Sequence, residues 1–477
     1  MEWLTRQQRT THPAMNKRDF LKTSASALAG TVASRVLPAQ PAQQPQDPTP
    51  TPTPGPRTNW AGNYTFKAPH IDQPTTPAEV ADLIRSRPAV KALGAKHSFN
   101  NLADSPSDQV SLVHFDQMTL NPSTGSGPRT MTVGAGVRYG TLAPWLDQQG
   151  FAVHNLASLP HVTVVGATAT ATHGSGIHNG NLSTAVRSIN LINGAGQHVT
   201  LSRDHDPDTF PGAVVALGAL GIATSITVDV IPTFQVAQTV YEDLSFNELE
   251  HNFDAIMGAA YSVSLFTDWQ DHKASEVWLK QRITPSTPPI LAPTFHGATI
   301  QKHNLHPIRE HDAANTTDQM GIPGPWYERL PHFKMNFTPS SGAEIQTEYF
   351  VPREHAYQAI LAVEKLRDRI TPHLFITELR TIAADELWLS MAYQRPSLAI
   401  HFTWKPEAEA VHNVIPAIEA ALAPFNARPH WAKVFRVPPP RLHQLYPRYN
   451  DFLALARKHD PEGKLRNAYL NQNIYPA

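Results

Sequence analysis

From Gly166 to Gly176 the chain reads GATATATHGSG, eleven residues with nothing bulkier than threonine except His173. A stretch like this cannot fill a core, because its side chains carry too little apolar surface to bury. It must lie against neighbouring backbone in tight turns, or against a ligand that approaches the main chain. Gly94-Ala95-Lys96-His97-Ser98 has the same texture. Small side chains let successive backbone N–H groups reach a pyrophosphate, and threonine and serine hydroxyls add donors. For either loop alone, compact turn packing is an equal explanation.

The rest of the composition narrows the ligand. With 477 residues the chain exceeds a single core, which stops growing at roughly 250 to 300 residues, so two domains are expected. Hydrophobic residues at 41% against 17% charged mark a folded chain. Lysine and arginine number 39 against 40 acidic residues, so no excess positive charge draws the chain to nucleic acid or an anionic membrane. A small uncharged partner is expected. There is no cysteine, which excludes disulfides, thiolate nucleophiles, iron–sulfur clusters and a cysteinyl flavin bond. The 24 histidines remain as the soft nucleophiles.

Residues 1–58 stand outside the expected fold. Asn16-Lys17-Arg18-Asp19-Phe20-Leu21-Lys22, followed by a mildly apolar stretch to Leu37, is similar to a twin-arginine export signal with Lys17 in the first arginine position. Export is therefore expected, with a cytoplasmic protein carrying a simple N-terminal tail as the alternative. Between Pro38 and Pro56 a proline-rich run favours extended polyproline II, which does not pack. It reads as a tether.

Within the body, Thr76-Pro77-Ala78-Glu79 predicts a capping box opening a helix to about Arg87, with Val80, Leu83 and Ile84 on one face. Val90 to Leu93, Met131 to Val133, Ser188 to Ile192 and Ala223 to Val230 read as strands. The texture changes after Pro232, where a second domain is expected to begin. Ala356, Ile360, Val363, Leu366 and Ile370 recur at helical spacing and predict one amphipathic helix over 354–370.

Several familiar chemistries are unsupported. Gly134-Ala135-Gly136-Val137-Arg138-Tyr139-Gly140 has its third glycine one residue late for a dinucleotide-binding loop and shows no helix pattern after it. Gly174-Ser175-Gly176 lacks the outer spacing of a nucleophile elbow, and no H-E-x-x-H metal motif occurs. No metal is expected. Glu378 and Arg380, two apart, would share a strand face, and a simple surface ion pair is the competing reading of the two.

Taken in order, Gly94 to Asn100, Leu156-Ala157-Ser158-Leu159-Pro160-His161, Ala171 to Gly176, Tyr261 to Trp269, Gly324-Pro325-Trp326, Glu378-Leu379-Arg380-Thr381, His401-Phe402-Thr403-Trp404 and Pro429-His430-Trp431-Ala432-Lys433 closely resemble the bacterial alditol oxidases. The resemblance covers about residues 59 to 470. It implies an α+β fold of the PCMH or vanillyl-alcohol oxidase type: an FAD-binding domain over 59–232, a mixed-sheet cap or substrate domain over 233–428, and a C-terminal segment, 429–477, returning to the FAD domain.

It also implies FAD attached covalently through His97. The matching cofactor contacts are Leu93, Gly94, Ala95, Lys96, Ser98, Ser158, Thr163, Gly166, Ala167, Thr168, Ala169, His173, Gly174, Ile222 and His430. On the substrate side it implies Ser158, Glu378, Arg380, Thr403 and Lys433, with Glu378, Arg380 and Lys433 catalytic. The implied reaction is oxidation of the terminal alcohol of an alditol such as xylitol or sorbitol, with O2 reduced to hydrogen peroxide. A monomer is expected. The alternatives are an aldonolactone oxidase or dehydrogenase, and a carbohydrate-binding relative without catalysis. Glu378, Arg380 and Lys433 supply a base and cations for alcohol oxidation; which group takes the proton is not fixed by the sequence.

Overall fold

The computed structural model describes residues 57–122 and 127–475, so the signal-like segment and the proline tether lie outside the described residues. Among the described residues no helix is long and apolar enough to cross a membrane.

Three sheets carry the body. The smallest is parallel, with Asp108–Ser111 between His70–Asp72 and Val90–Leu93. Helix Pro77–Ser86 buries Val80 and Ile84 in the cluster that holds Val90 and Val110. Thr76 caps it by accepting from the Glu79 N–H, but the Glu79 carboxylate accepts from Thr75 N, one residue upstream of the expected capping-box partner.

The second sheet is antiparallel, ordered Met118–Leu120, Arg129–Gly134, Ile222–Pro232, Val186–Ile192, His198–Ser202, with Phe151–Ala152 also paired to Ile222–Pro232. A helix, Tyr139–Gln148, does follow Gly134 and Gly136, contrary to the sequence expectation. Its pattern is masked by Pro144 inside it and the lack of a side-chain cap at Arg138. The dinucleotide-loop reading still fails. The preceding strand is antiparallel to both its neighbours, and Cβ atoms at Gly134 and Gly136 would meet the Phe115 and Leu112 carbonyls at 2.2 and 2.4 Å. These glycines admit neighbouring backbone.

The third sheet takes over at Gln235 and has ten strands, from Thr294–Phe295 at one edge to Arg428–Pro429 at the other. Expected to be mixed, it is antiparallel at every pairing, because adjacent strands connect by reversals such as Thr267 to Lys273. Its central strands are Ser262–Thr267, Leu374–Ile382, Ser397–Trp404 and Ile345–Pro352. They alternate as the pleat demands, apart from an irregularity between Leu374 and Ile376. Leu379, Leu398, Ile400, Phe402, Tyr349 and Val351 face an apolar layer formed with Val411, Ile415 and Ile418 of helix Ala408–Leu422 and Ile360 and Val363 of Ala356–Glu364. The helix expected over 354–370 is broken after Glu364. There the bonding tightens, with Leu366 N on Val363 O and Arg369 N on Leu366 O, before Arg367–Ile370 resumes and delivers Ile370 to the same core.

Candidate functional site

The opposite face of those central strands is polar. Glu348, His401 and Glu378 stand in one cross-strand row, with Glu348 opposite His401 and His401 opposite Glu378. The next row along places Gln346 opposite Thr403. Arg380 follows Glu378 at spacing two. All six are buried, and a buried charge must find partners.

Glu348 is the hub. Arg380 Nη2 donates to its Oε1 at 2.8 Å and Lys433 Nζ to its Oε2 at 2.6 Å, while His173 Nε2 lies 3.2 Å from Oε1. Burial alone would raise this carboxyl, but Lys433, His173 and Arg380 together outweigh it and hold it well below the usual carboxylate range. Glu378 receives His332 Nε2 on Oε1 at 2.7 Å and lies 3.5 Å from Arg380 Nε through Oε2. Burial again pushes upward, and Arg380, His332 and His401 hold the carboxyl below its ordinary value. The bland reading of Glu378 and Arg380 as a surface pair therefore fails: the two are 4% and 5% exposed.

Lys433 arrives from the far end of the chain. After Arg428–Pro429, His430 N bonds Glu348 O and Val434 N bonds Gln346 O, so the segment runs on beside the Ile345–Pro352 strand. This puts Lys433 Nζ 2.5 Å from His401 Nδ1 as well as on Glu348. Burial, opposed by Glu348 and reinforced by Arg380, lowers the lysine to about 8. His401, whose Nε2 is 3.1 Å from Thr403 Oγ1, is lowered to about 4 by burial and then Lys433.

The His97 loop is tied to that same segment. Phe99 N bonds Ala432 O, and Asn100 Nδ2 donates to the carbonyls of Trp431 and Lys433 at 2.9 and 2.8 Å. Trp60 stacks on the His97 ring at a centroid distance of 4.7 Å. Burial first, then His161 and Arg138, lower His97 to about 3, so its imidazole is neutral, and its buried Nδ1 has no hydrogen-bond partner among the described residues.

One cavity of about 300 Å³ joins these parts, within the range of ligand pockets. Leu93, Gly94, Ala95, Lys96, His97, Ser98, Ser158, Thr163, Gly166, Ala167, Thr168, Ala169, His173 and His430 line it, as do Glu378, Arg380, Thr403 and Lys433. Thr163 Oγ1 sits between the two small-residue stretches, and a Cβ at Gly94 or Gly166 would fall 2.8 or 2.6 Å from it. The second stretch opens as a one-turn helix, Val164–Thr168, where a loop was expected, because Ala167 N can bond Thr163 O in helical spacing.

Two expected contacts fall off the wall. Ile222 lies in the apolar cluster with Val80 and Ile84, since strand alternation gives its neighbours Gly221 and Ala223 to the cavity. Gly174 packs on Leu156 O, where a Cβ would lie at 2.4 Å. Glu348, His332, His401 and Gln346 also line the cavity and were not anticipated. The readable signal for Glu348 and His401 was a titratable side chain at a strand position whose alternation sets it opposite the apolar layer.

Residues 68–202 match the FAD binding domain family, and residues 338–473 match the D-arabinono-1,4-lactone oxidase family. The chain is 45% identical to the alditol oxidase of Streptomyces sp. (strain IKD472 / FERM P-14339) over 414 residues, 87% of this chain and 97% of that protein. The chain belongs to the alditol oxidase family. Among other relatives of this alditol oxidase family member, the L-gulono-1,4-lactone dehydrogenase of Mycobacterium tuberculosis (strain ATCC 25618 / H37Rv) is 27% identical over 88% of this chain and 99% of its own. The cholesterol oxidase of B. sterolicum superposes with a TM-score of 0.70 at 15% identity, covering 90% of this chain and 99% of that one. That likeness establishes the two-domain α+β FAD-binding fold. The cofactor is FAD, and the cavity suits it: small-residue walls for close backbone approach and a neutral, partnerless imidazole nitrogen at His97.

Proposed function

We propose that this enzyme oxidises the terminal primary alcohol of an alditol, xylitol or sorbitol being of the expected size, and passes the electrons to O2. The observation that carries the reading is the buried row of Glu378, Arg380, Glu348, His401 and Thr403 on one sheet face, met by the half-buried Lys433 from the segment beside it and opening on the same cavity as His97. Such a set offers many donors and acceptors and little apolar surface, which suits a chain of hydroxyls. Bound FAD would supply the two-electron acceptor for the hydride from the carbinol carbon and, on reoxidation by O2, hydrogen peroxide.

The protein's own part is to bind, orient and deprotonate. Glu378 accepts from one hydroxyl of the chain and Arg380 donates to another, while Ser158, 3.3 Å from Arg380 Nη1, and Thr403 orient the rest. A shorter or deoxygenated alcohol leaves these buried groups unpaired, so polyols are favoured. Glu348 and Glu378 are held ionised by their cations and are weak bases, and His401 is too weak near neutral pH. Lys433, lowered to about 8, is the group that can lose and regain a proton near the operating pH.

The lactone reading has one observation in its favour, the match of residues 338–473 to the D-arabinono-1,4-lactone oxidase family. Peroxide release with xylitol or sorbitol, compared with L-gulono-1,4-lactone, decides between them. Turnover of the alditol well above the lactone is expected, and the reverse sinks the alditol reading.

His97 is the residue proposed to hold the cofactor covalently. After acid precipitation the unmutated protein should keep its yellow colour in the pellet, whereas His97→Ala should release all flavin to the supernatant. A colourless pellet from the unmutated protein would defeat the covalent bond while leaving the alditol chemistry standing.

A further inference from the structure

Strand Lys273–Ile283 lies two places from Leu374–Ile382 in the large sheet and contributes a buried cation to the polar face. Val277 and Leu279 face the apolar layer, so Trp278 and Lys280 face the site. Lys280 is 1% exposed, and the three N–H directions of its ammonium are all taken: Leu330 O at 2.6 Å, Pro331 O at 3.0 Å and His332 Nδ1 at 3.0 Å. His332 then meets Glu378 Oε1 through Nε2 at 2.7 Å. Its ring is walled by Trp278 and Phe266 at 5.1 and 5.5 Å, and its backbone N–H bonds Ser158 O.

With Glu378 ionised, as Arg380 beside it favours, the proton count has one outcome. Across the Lys280–His332 contact there is one proton between two nitrogens. If it sits on lysine, Nδ1 is a bare acceptor and the neutral ring carries its hydrogen on Nε2. If it sits on histidine, the ring is an imidazolium with hydrogens on both nitrogens. Either way Nε2 donates to Glu378, and the contact stores one buried positive charge behind the carboxylate. Glu378 Oε1 is thereby committed to the protein, and Oε2 makes no hydrogen bond among the described residues, lying 3.5 Å from Arg380 Nε.

We propose that Lys280 and His332 are positioning residues that hold Glu378 by one oxygen so that the other is presented to a hydroxyl of the substrate chain. This rests on the alditol reading above. The charged and titratable groups facing Glu378 are Arg380 on its own strand, His401 on the neighbouring strand, His332, Lys280 and Lys433. Arg380 is the strongest of these in holding the carboxyl down, followed by His332.

The test uses the full-length, flavin-loaded enzyme with xylitol or sorbitol. His332→Leu should raise KM by about tenfold or more, the worth of one hydrogen bond to a charged group, with kcat changed by less than about threefold. His332→Gln, whose amide N–H can stand where Nε2 stood, should recover KM to within about threefold of the parent. Lys280→Met should raise KM in the same direction. Equal KM values for His332→Leu, His332→Gln and the unmutated enzyme, or a loss confined to kcat, would overturn the positioning role. If Lys280→Met does not fold, the two His332 variants decide the matter alone. An unmutated enzyme inert toward every alditol sinks the functional reading itself. An active one with an unaltered His332→Leu variant sinks only this proposal.

Discussion

Glu348→Leu is expected to lower the unfolding free energy by about 3–5 kcal/mol, the cost of removing one partner from a buried ion cluster, and to reduce alditol turnover by about a hundredfold or more. The reason lies in the surroundings. Lys433, Arg380 and His173 converge on one fully buried carboxylate, and leucine in its place leaves two cations facing each other without compensation. Lys433 and Arg380 would move apart or draw in water, and either displaces the groups that address the substrate. Glu348→Gln keeps the shape and part of the hydrogen bonding, so an intermediate loss of about 1–3 kcal/mol is expected. Urea unfolding of the flavin-loaded enzyme measures both variants. Values within about 0.5 kcal/mol of the parent, the ordinary range of surface substitutions, would show that Glu348 is not the hub.

The pH dependence of that stability has a definite sign. The Glu348 carboxyl lies well below its ordinary value of 4.5 in the folded protein. Its contribution is therefore present in full above that value and is lost only as pH falls from there through the folded value. The unmutated enzyme and Glu348→Leu should accordingly differ most in neutral buffer and converge in strong acid.

Glu348 also shows where sequence reading stops. The run Ile345-Gln346-Thr347-Glu348-Tyr349-Phe350-Val351 announces a strand, and its alternation gives the face of every residue. Nothing local says that cations from positions 380 and 433 meet there. Those contacts depend on strand order, in which Ile345–Pro352 and Leu374–Ile382 are both neighbours of Ser397–Trp404, and on a segment that crosses back after Pro429. The loops at Gly94 and Gly166 were legible because small side chains constrain what can touch them whatever the topology. The Ile222 side chain shows the opposite case: a one-residue step along a strand exchanges cavity for core, and resemblance alone does not register that step. The helix Tyr139–Gln148 was missed because Pro144 and an uncapped start hide it, and the break after Glu364 because apolar spacing continues through it. His332 lies in a segment between strands, where no periodicity points to an inward side chain.

Lys433→Met should lower kcat/KM for xylitol or sorbitol by about 10²- to 10⁴-fold, the usual range for a lost general base, while flavin content stays at the parent level. The unmutated enzyme should gain activity as pH rises through about 8, where the lysine gives up its proton, because only the free amine can accept the hydroxyl proton. His401, lowered to about 4, would place such a limb far below neutrality, and the carboxyls lower still. The position of the limb therefore identifies the group. Lys433→Arg tests charge against basicity: a guanidinium preserves the positive charge beside Glu348 but does not deprotonate in proteins. If Lys433 served only as a fixed cation, Lys433→Arg would retain most of the activity and the limb near 8 would be absent from the parent. If it takes the proton, Lys433→Arg is nearly as slow as Lys433→Met, and both lose the limb. Profiles of kcat/KM between about pH 6 and pH 10 for the three proteins separate these outcomes. A parent-like limb persisting in Lys433→Met would assign the proton to another group.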